Sequence, residues 1–218
     1  MTPAALNAHE LRTLPTAAWV ELDRSSWSED PGLVSGRCLA LGLPLFVKPA
    51  RLGSSVGISK VTDSSGLEPA IDLALAQGER VLVEKGLDVR EIEIAVLGNQ
   101  HPRSAVPGEV VPGHDFYDYD DKYIDSACQL LAPAPLDEMQ TAAARELGVT
   151  VFELLGCTGM ARVDLFLERD GSRFWVNEIN TIPGFTPISM YPRLWELSGL
   201  SYPELIDELI RLGFASAR

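Results

Sequence analysis

The chain has 218 residues, of which 46% are hydrophobic and 22% are charged, and this composition excludes a largely disordered protein. Its 31 acidic and 18 basic residues give a formal net charge of −13, which disfavours a general nucleic-acid binder because such a surface repels a phosphate backbone. The three cysteines form no C-x-x-C pair, so neither a disulfide framework nor a zinc site is predicted.

Residues 1–44 are the least patterned part of the chain, and they contain neither Lys nor Arg before Arg12 nor the apolar segment of a signal peptide. No apolar run elsewhere approaches membrane-spanning length. Together with cysteines that suit a reducing compartment, these features predict a cytoplasmic protein without a membrane partner.

Predicted strands and helices alternate irregularly along the chain, which predicts an α+β fold with mixed or antiparallel sheets. A helix with apolar residues at helical spacing is predicted between Leu67 and Gly78. The long polar and aromatic stretch 107–125 has the length of a lid or a binding loop. A capping box at Ser201 and Glu204 opens a last helix. The predicted strands are 18–22, 44–48, 58–61, 80–84, 91–97, 160–168 and 173–180. A further helix begins at about Leu136, with Met139, Ala143, Leu147, Val151 and Leu154 on its apolar side.

The last two predicted strands carry the strongest chemical signal. Arg162 and Asp164 share one face because side chains alternate along a strand, and Glu178 and Asn180 share a face for the same reason. Two carboxylates and an amide oxygen on rigid strands suit Mg²⁺. The alternative is an exposed sheet face on which Arg162 forms ion pairs with the acids.

These four side chains meet only if the hairpin has the right parity. A two-residue turn at Asp170-Gly171 would place Asp164 and Glu178 on opposite faces. A three-residue loop of Arg169-Asp170-Gly171, or a β-bulge, restores a common face. We predict one of these two devices.

The segment Arg51–Gly57 is a second candidate site. Its small residues, among them Ser54, allow backbone N–H groups to surround a phosphate, and Lys48 just upstream supplies a point charge. The alternative is an ordinary Gly-Ser turn between two strands.

Other charged residues lie at strand ends and in the long loop. Glu84 and Lys85 end one predicted strand and Glu91 begins the next, where carboxylates can accept hydrogen bonds from ribose hydroxyls. Solvated charges at strand ends are the alternative. Lys122 and Tyr123 are placed to close over a ligand, or they belong to an ordinary surface loop.

A Pro-Gly turn follows the last predicted strand. Its rigidity would fix the N–H of Gly184 and the hydroxyl of Ser189 as donors for an oxyanion or a carboxylate, although by itself the segment is only a Pro-Gly loop.

In this order the motifs resemble the D-alanine–D-alanine ligases of the ATP-grasp superfamily, from about residue 14 to the C-terminus. The resemblance implies that ATP phosphorylates the carboxylate of one D-alanine and that the amine of a second then attacks the acyl phosphate. The product would be the dipeptide used in peptidoglycan synthesis. The motifs that carry the resemblance are Val47-Lys48-Pro49, Gly53–Gly57, Phe116–Tyr119 with Lys122-Tyr123, Arg162–Asp164 and Asn177–Gly184.

The resemblance also implies a role for each matching residue. The residues implied at ATP are Lys48 and Lys122 on the phosphates, Ser54 in the loop over them, Glu84 and Lys85 at the adenine cleft, and Glu91 at the ribose. The residues implied at Mg²⁺ or Mn²⁺ are Asp164, Glu178 and Asn180. The residues implied at the reacting groups are Arg162 and the Gly184 N–H on the tetrahedral oxyanion, and Ser189 on the second D-alanine carboxylate. Tyr123 resembles the members that use D-alanine, and with Ser54 it would bond a glutamate that binds the first D-alanine.

That glutamate belongs to an N-terminal domain of the family for which residues 1–17 offer no counterpart. We therefore expect an unmatched segment 1–17, a central ATP-grasp lobe 18–86 and a C-terminal lobe 87–218 with the metal site, the two lobes clasping ATP. The expected partners are D-alanine and ATP, together with a second copy of the chain or a separate N-terminal domain.

Two alternatives remain open from the sequence. The first is a catalytically impaired ATP-binding fragment or one half of a split ligase, which the unmatched N-terminal segment favours. The second is another ATP-grasp carboxylate–amine ligase, which Tyr123 and the loop Gly53–Gly57 disfavour.

Overall fold

The computed structural model describes residues 13–50, 52, 56–112, 129–171, 173–186 and 188–216. They form two compact units, the first comprising Ala17–Asp88 and the second comprising 13–16, Val89–Val111 and the described residues from Gln129 onward. Each unit has its own sheet, and the strands that the structure describes pair antiparallel. The predicted α+β architecture with antiparallel sheets is confirmed.

The first unit contains the strands β1 (Trp19–Asp23), β2 (Leu45–Pro49), β3 (Ser59–Val61) and β4 (Arg80–Lys85). They form a four-stranded sheet in the order β1-β4-β2-β3. Buried Leu45, Val47 and Val83 line the inner face of the sheet and pack with Ile71 and Cys38 from the helices. Its helices are α1 (Arg24–Glu29), α2 (Pro31–Leu39) and α3 (Leu67–Gln77), the last preceded by a 3₁₀ turn at Ser64–Gly66.

Helices α1 and α2 lie in the segment that the sequence analysis left unpatterned. Each begins at an aspartate whose carboxylate accepts a backbone N–H at 2.9 Å, Asp23 from Ser26 and Asp30 from Leu33. The helices have only 6 and 9 residues, too few for a clear helical period, so these caps were the available signal.

The second unit contains the strands β5 (Val89–Gly98), β6 (Arg103–Ser104), β7 (Gly108–Val111), β8 (Gln129–Leu131), β9 (Gly159–Glu168) and β10 (Phe174–Asn180), and the helices α4 (Glu138–Leu154), α5 (Met190–Leu197) and α6 (Tyr202–Ser216). The strands form a six-stranded sheet in the order β10-β9-β5-β7-β8, with β6 paired to β5. Helix α4 covers one face of this sheet, where Phe152 packs with Ile92, Ile94 and Leu165. None of the helices in the described ranges has the length and apolarity needed to cross a membrane.

The predicted apolar side of α4 is confirmed at Val151, which is buried, and at Leu147, which packs against the core. It is wrong at Met139, which is 80% exposed, and at Ala143, which is also exposed; the other buried residues of the helix are Ala144, Gly148 and Phe152. The face is selected by close approach: a Cβ built on Gly148 would lie 2.7 Å from Cγ2 of Ile94 on β5. Because a glycine makes this contact, a search for large apolar residues displaces the predicted face toward Met139 and Ala143.

Alanine substitutions at two helical glycines are expected to have opposite effects. Gly148→Ala should lower the free energy of unfolding by about 1–3 kcal/mol, because Ile94 must shift to make room. Gly36→Ala in α2 should raise it by about 1 kcal/mol, because nothing lies within 4 Å of its added Cβ and alanine favours helix. Urea unfolding of both variants measures the difference, and stabilisation by both would contradict the packing of α4.

Candidate functional site

A β-bulge brings the predicted residues of the last hairpin to one face. Near the turn, β9 and β10 keep the register of a two-residue loop, and the register then shifts by one residue at Asn177. Beyond the shift Glu178 lies opposite Asp164 and Asn180 lies opposite Arg162. Residues directly opposite each other share a face of the sheet. The three-residue loop was therefore the wrong alternative, and the β-bulge is confirmed.

Arg162 binds the carboxylates of this face. Its Nε donates to Oδ1 of Asp164 at 2.6 Å and its Nη2 donates to Oδ2 at 2.8 Å, while Nε also lies 3.3 Å from Oε1 of Glu93. Burial lowers the pKa of the guanidinium, but attraction to Asp164, Glu93 and Glu178 outweighs burial and raises the pKa above its ordinary value. The ion pairs of the alternative interpretation are thus present.

The oxygen atoms of this face suit a hard divalent cation. Each Asp164 oxygen has a lone pair beyond the one that Arg162 uses, and Glu178 is exposed. Oδ1 of Asn180 accepts the N–H of Ile182 at 3.1 Å and keeps a second lone pair. Within the described residues, no three His, Cys, Asp or Glu side chains form a group that could hold a metal ion. The amide oxygen of Asn180 is the third side-chain oxygen ligand that this face offers to a cation.

On the first unit, Lys48 and Glu84 form an ion pair. Nζ of Lys48 lies 2.8 Å from Oε2 of Glu84, and the two side chains are 18% and 20% exposed. Glu84 is the cross-strand partner of Phe46, so Phe46, Lys48 and Glu84 share the face opposite buried Leu45 and Val47. The structure thus joins two residues to which the resemblance gives separate contacts with ATP.

The side chain of Lys85 is directed elsewhere. Its Nζ donates to the carbonyl of Leu41 at 3.0 Å, and its backbone N–H donates to the carbonyl of Ala18 at 2.8 Å. Because Lys85 follows Glu84 directly in β4, strand alternation places the two side chains on opposite faces. Of this predicted group, the structure brings together Lys48 and Glu84 and not Lys85.

The turn after β10 brings Gly184 and Ser189 together. A Cβ built on Gly184 would lie 3.0 Å from Oγ of Ser189, so the backbone passes close to this hydroxyl. The same Oγ accepts the N–H of Thr186 at 3.1 Å and lies 2.8 Å from Oγ1 of Thr186. Phe185 anchors the turn, because its carbonyl accepts a 2.9 Å bond from the hydroxyl of Tyr202 on α6. Thr186 and Tyr202 were not predicted, because no spacing in the sequence points to them.

The family model for the D-ala D-ala ligase C-terminus matches residues 10–211. The chain belongs to the D-alanine–D-alanine ligase family.

Several members of this family are similar in sequence. The D-alanine–D-alanine ligase of Chlorobaculum parvum is 49% identical over 197 residues, which cover 90% of this chain and 54% of the relative. That of Natranaerobius thermophilus is 45% identical over 203 residues, which cover 93% and 56%. The chain therefore spans about half the length of the curated relatives it matches.

Solved ligase structures share the fold. The D-alanine-D-alanine ligase from Coxiella burnetii has a TM-score of 0.81 at 36% identity, covering 94% of this chain and 54% of that chain. The VanG D-Ala:D-Ser ligase from Enterococcus faecalis has a TM-score of 0.83 at 35% identity, covering 93% and 58%. The predicted fold class is confirmed.

Some ligase residues implied by the resemblance stay predictions. Ser54, Lys122 and Tyr123 lie outside the described residues. Glu91 lies on β5 opposite Phe166 of β9, and its place at the ribose is untested. No role was predicted for Glu93, although its alternation with Ile92 and Ile94 places it on the same face as Glu91.

Proposed function

We propose that this chain supplies the nucleotide- and cation-binding part of an ATP-dependent D-alanine–D-alanine ligase in the cytoplasm. The observation that supports the proposal most is the convergence of Arg162, Asp164, Glu178 and Asn180 on one sheet face through the bulge. We propose further that 18–86 is the central ATP-grasp lobe, that 87–218 carries the cation site, and that a second copy or a separate N-terminal domain is a partner.

The proposed reaction has two steps. The carboxylate of one D-alanine attacks the γ-phosphorus of ATP, which gives an acyl phosphate and ADP. The amine of a second D-alanine then attacks the acyl carbon, and the resulting tetrahedral intermediate expels phosphate to leave the dipeptide. Neither step needs a protein nucleophile, so the protein contributes positioning and charge stabilisation.

The described residues have groups suited to these tasks. We assign the ATP phosphates to Lys48, whose ammonium is oriented by Glu84 at 2.8 Å. We assign the tetrahedral oxyanion to Arg162 and the Gly184 N–H, and the second D-alanine carboxylate to Ser189. Arg162 suits an oxyanion because its raised pKa keeps the guanidinium charged.

The remaining contacts follow the family resemblance. We propose that Lys122 and Ser54 join Lys48 at the phosphates, that Lys85 and Glu91 contact adenosine, and that Tyr123 orients the first D-alanine together with Ser54. To reach adenosine, the ammonium of Lys85 would have to release the carbonyl of Leu41, to which it donates at 3.0 Å.

Mg²⁺ or Mn²⁺ would be held by Asp164, Glu178 and Asn180, whose oxygen donors fit either ion. When bound, such an ion neutralises charge on the transferred phosphoryl group. Asp164 would then share its carboxylate between the ion and Arg162, whose Nε lies 2.6 Å from Oδ1.

A coupled assay of the purified chain tests the proposal. D-alanine should stimulate ADP release in the presence of Mg²⁺, with the dipeptide detected by chromatography, and L-alanine should not. ATP binding without turnover would favour the impaired-fragment alternative. Failure to bind ATP at all would overturn both interpretations.

A further inference from the structure

Glu93 is a buried acid that none of the proposed roles uses. It lies on β5, is 8% exposed, and is the cross-strand partner of Asp164. Asp164 is in turn the partner of Glu178 on β10. The acids Glu93, Asp164 and Glu178 therefore form one row across three adjacent strands, with Asp164 at its centre.

Arg162 belongs to the neighbouring row, between Ala95 on β5 and Asn180 on β10. Its guanidinium makes two hydrogen bonds with Asp164, and its Nε lies 3.3 Å from Oε1 of Glu93. One cation is thus shared unequally between two acids on neighbouring strands. Asp164 is the closer acid, and it is also the residue that the proposed function assigns to a divalent ion.

A divalent ion at Asp164 and the guanidinium of Arg162 compete for the same carboxylate oxygens, and their positive charges repel each other. A second carboxylate within reach of Arg162 relieves this competition, because the guanidinium can move its hydrogen bonds from Asp164 to that carboxylate and stay on the same sheet face. Glu93 is in that position, and its side chain is only 10% exposed, so its charge is weakly screened by water.

We infer that Glu93 is a positioning residue for Arg162: it holds the guanidinium in place when a divalent cation occupies Asp164. This inference rests on the proposed function, and it adds a residue to the site. Its consequence is that Glu93 acts on cation binding and on turnover through Arg162.

The first test compares Glu93→Gln with Glu93→Asp. Mn²⁺ affinity is measured by electron paramagnetic resonance of the free ion, with a non-hydrolysable ATP analogue present. Both variants should bind Mn²⁺ about tenfold more weakly, because glutamine lacks the charge and aspartate falls short of Arg162. If Glu93→Asp behaves like the unmodified chain, charge alone is sufficient and the inference is overturned.

The second test asks whether the effect passes through Arg162. Glu93→Gln should weaken Mn²⁺ binding several-fold less in an Arg162→Gln background, since there is no guanidinium left to hold. Equal weakening in both backgrounds would make Glu93 a direct ligand or a distant charge, and would overturn the inference. If Arg162→Gln does not fold, the comparison of Glu93→Gln with Glu93→Asp in the first test decides whether the inference holds.

Glu109 provides a matched control. It is 6% exposed in the same sheet and accepts two bonds from Arg90, at 2.8 and 2.7 Å, on the face that carries Ile92. Glu109→Gln should reduce thermal stability without changing Mn²⁺ affinity. An unmodified chain that shows no Mn²⁺-dependent nucleotide binding would refute the proposed function. Normal binding that Glu93→Gln leaves unchanged would refute only the inference.

Discussion

Glu178→Gln is expected to lower the affinity for Mg²⁺-ATP by about 100-fold or more. The substitution replaces a charged oxygen ligand with a neutral amide of the same size, and changes to groups that merely support metal ligands already cost about 10–100-fold. Glu178 is exposed, so its loss should leave the stability of the sheet nearly unchanged. Calorimetric titration with ATP, with and without Mg²⁺, measures the effect, and the two proteins should bind metal-free ATP equally.

Glu153→Gln is the matched control for this substitution. Glu153 is exposed on α4 and its replacement removes the same single charge. Its Mg²⁺-ATP affinity should equal that of the unmodified chain. If Glu178→Gln also retains full affinity, the assignment of Glu178 to the cation is refuted.

Arg162→Lys is expected to reduce the rate of dipeptide formation by about 10²–10³-fold while leaving the affinity for Mg²⁺-ATP within a few-fold. Lysine keeps the positive charge near Asp164 and Glu93, so the acids stay compensated. It lacks the planar fork that holds Asp164 through two bonds at 2.6 and 2.8 Å, and a single lost oxyanion donor costs a factor of this size. Steady-state kinetics should show the loss in kcat.

Arg211→Lys is the control for this second prediction. Arg211 also forms a two-bond pair, with Glu208 on α6, but its side chain is 65% exposed. Its replacement should leave kcat unchanged. A kcat for Arg162→Lys close to that of Arg211→Lys would contradict a role of Arg162 at the oxyanion.

The site hairpin was predictable because strand alternation is a strong constraint. The placement of Arg162 and Asp164 on one face, and of buried Val163 and Leu165 on the other, follows from period two alone. The choice between a longer loop and a bulge did not follow, because both restore the parity that Glu178 requires. Backbone pairing decides that choice, and it depends on neighbouring strands more than on local composition.

The errors have a common physical origin in contacts made by small or unassigned residues. The phase of α4 depends on Gly148 meeting Ile94, and a glycine carries no apolar signal. The opposite directions of Glu84 and Lys85 followed from alternation, but the two were treated as one group. Glu93 was overlooked because its role depends on strand neighbours distant in the sequence.

The irregularity at Asn177 divides β10 into two segments with opposite side-chain phase. Before it, the even-numbered Phe174 and Val176 pack toward α4; after it, the odd-numbered Ile179 does so, which turns Glu178 and Asn180 outward. The bulge absorbs one extra residue, so that Ile179 still reaches the hydrophobic interior while Glu178 and Asn180 stay on the acidic surface. If the strand kept Asn177 but paired regularly, Ile179 would turn outward and Glu178 and Asn180 would turn into the core, so the sheet holds its acidic surface only while this position stays out of register.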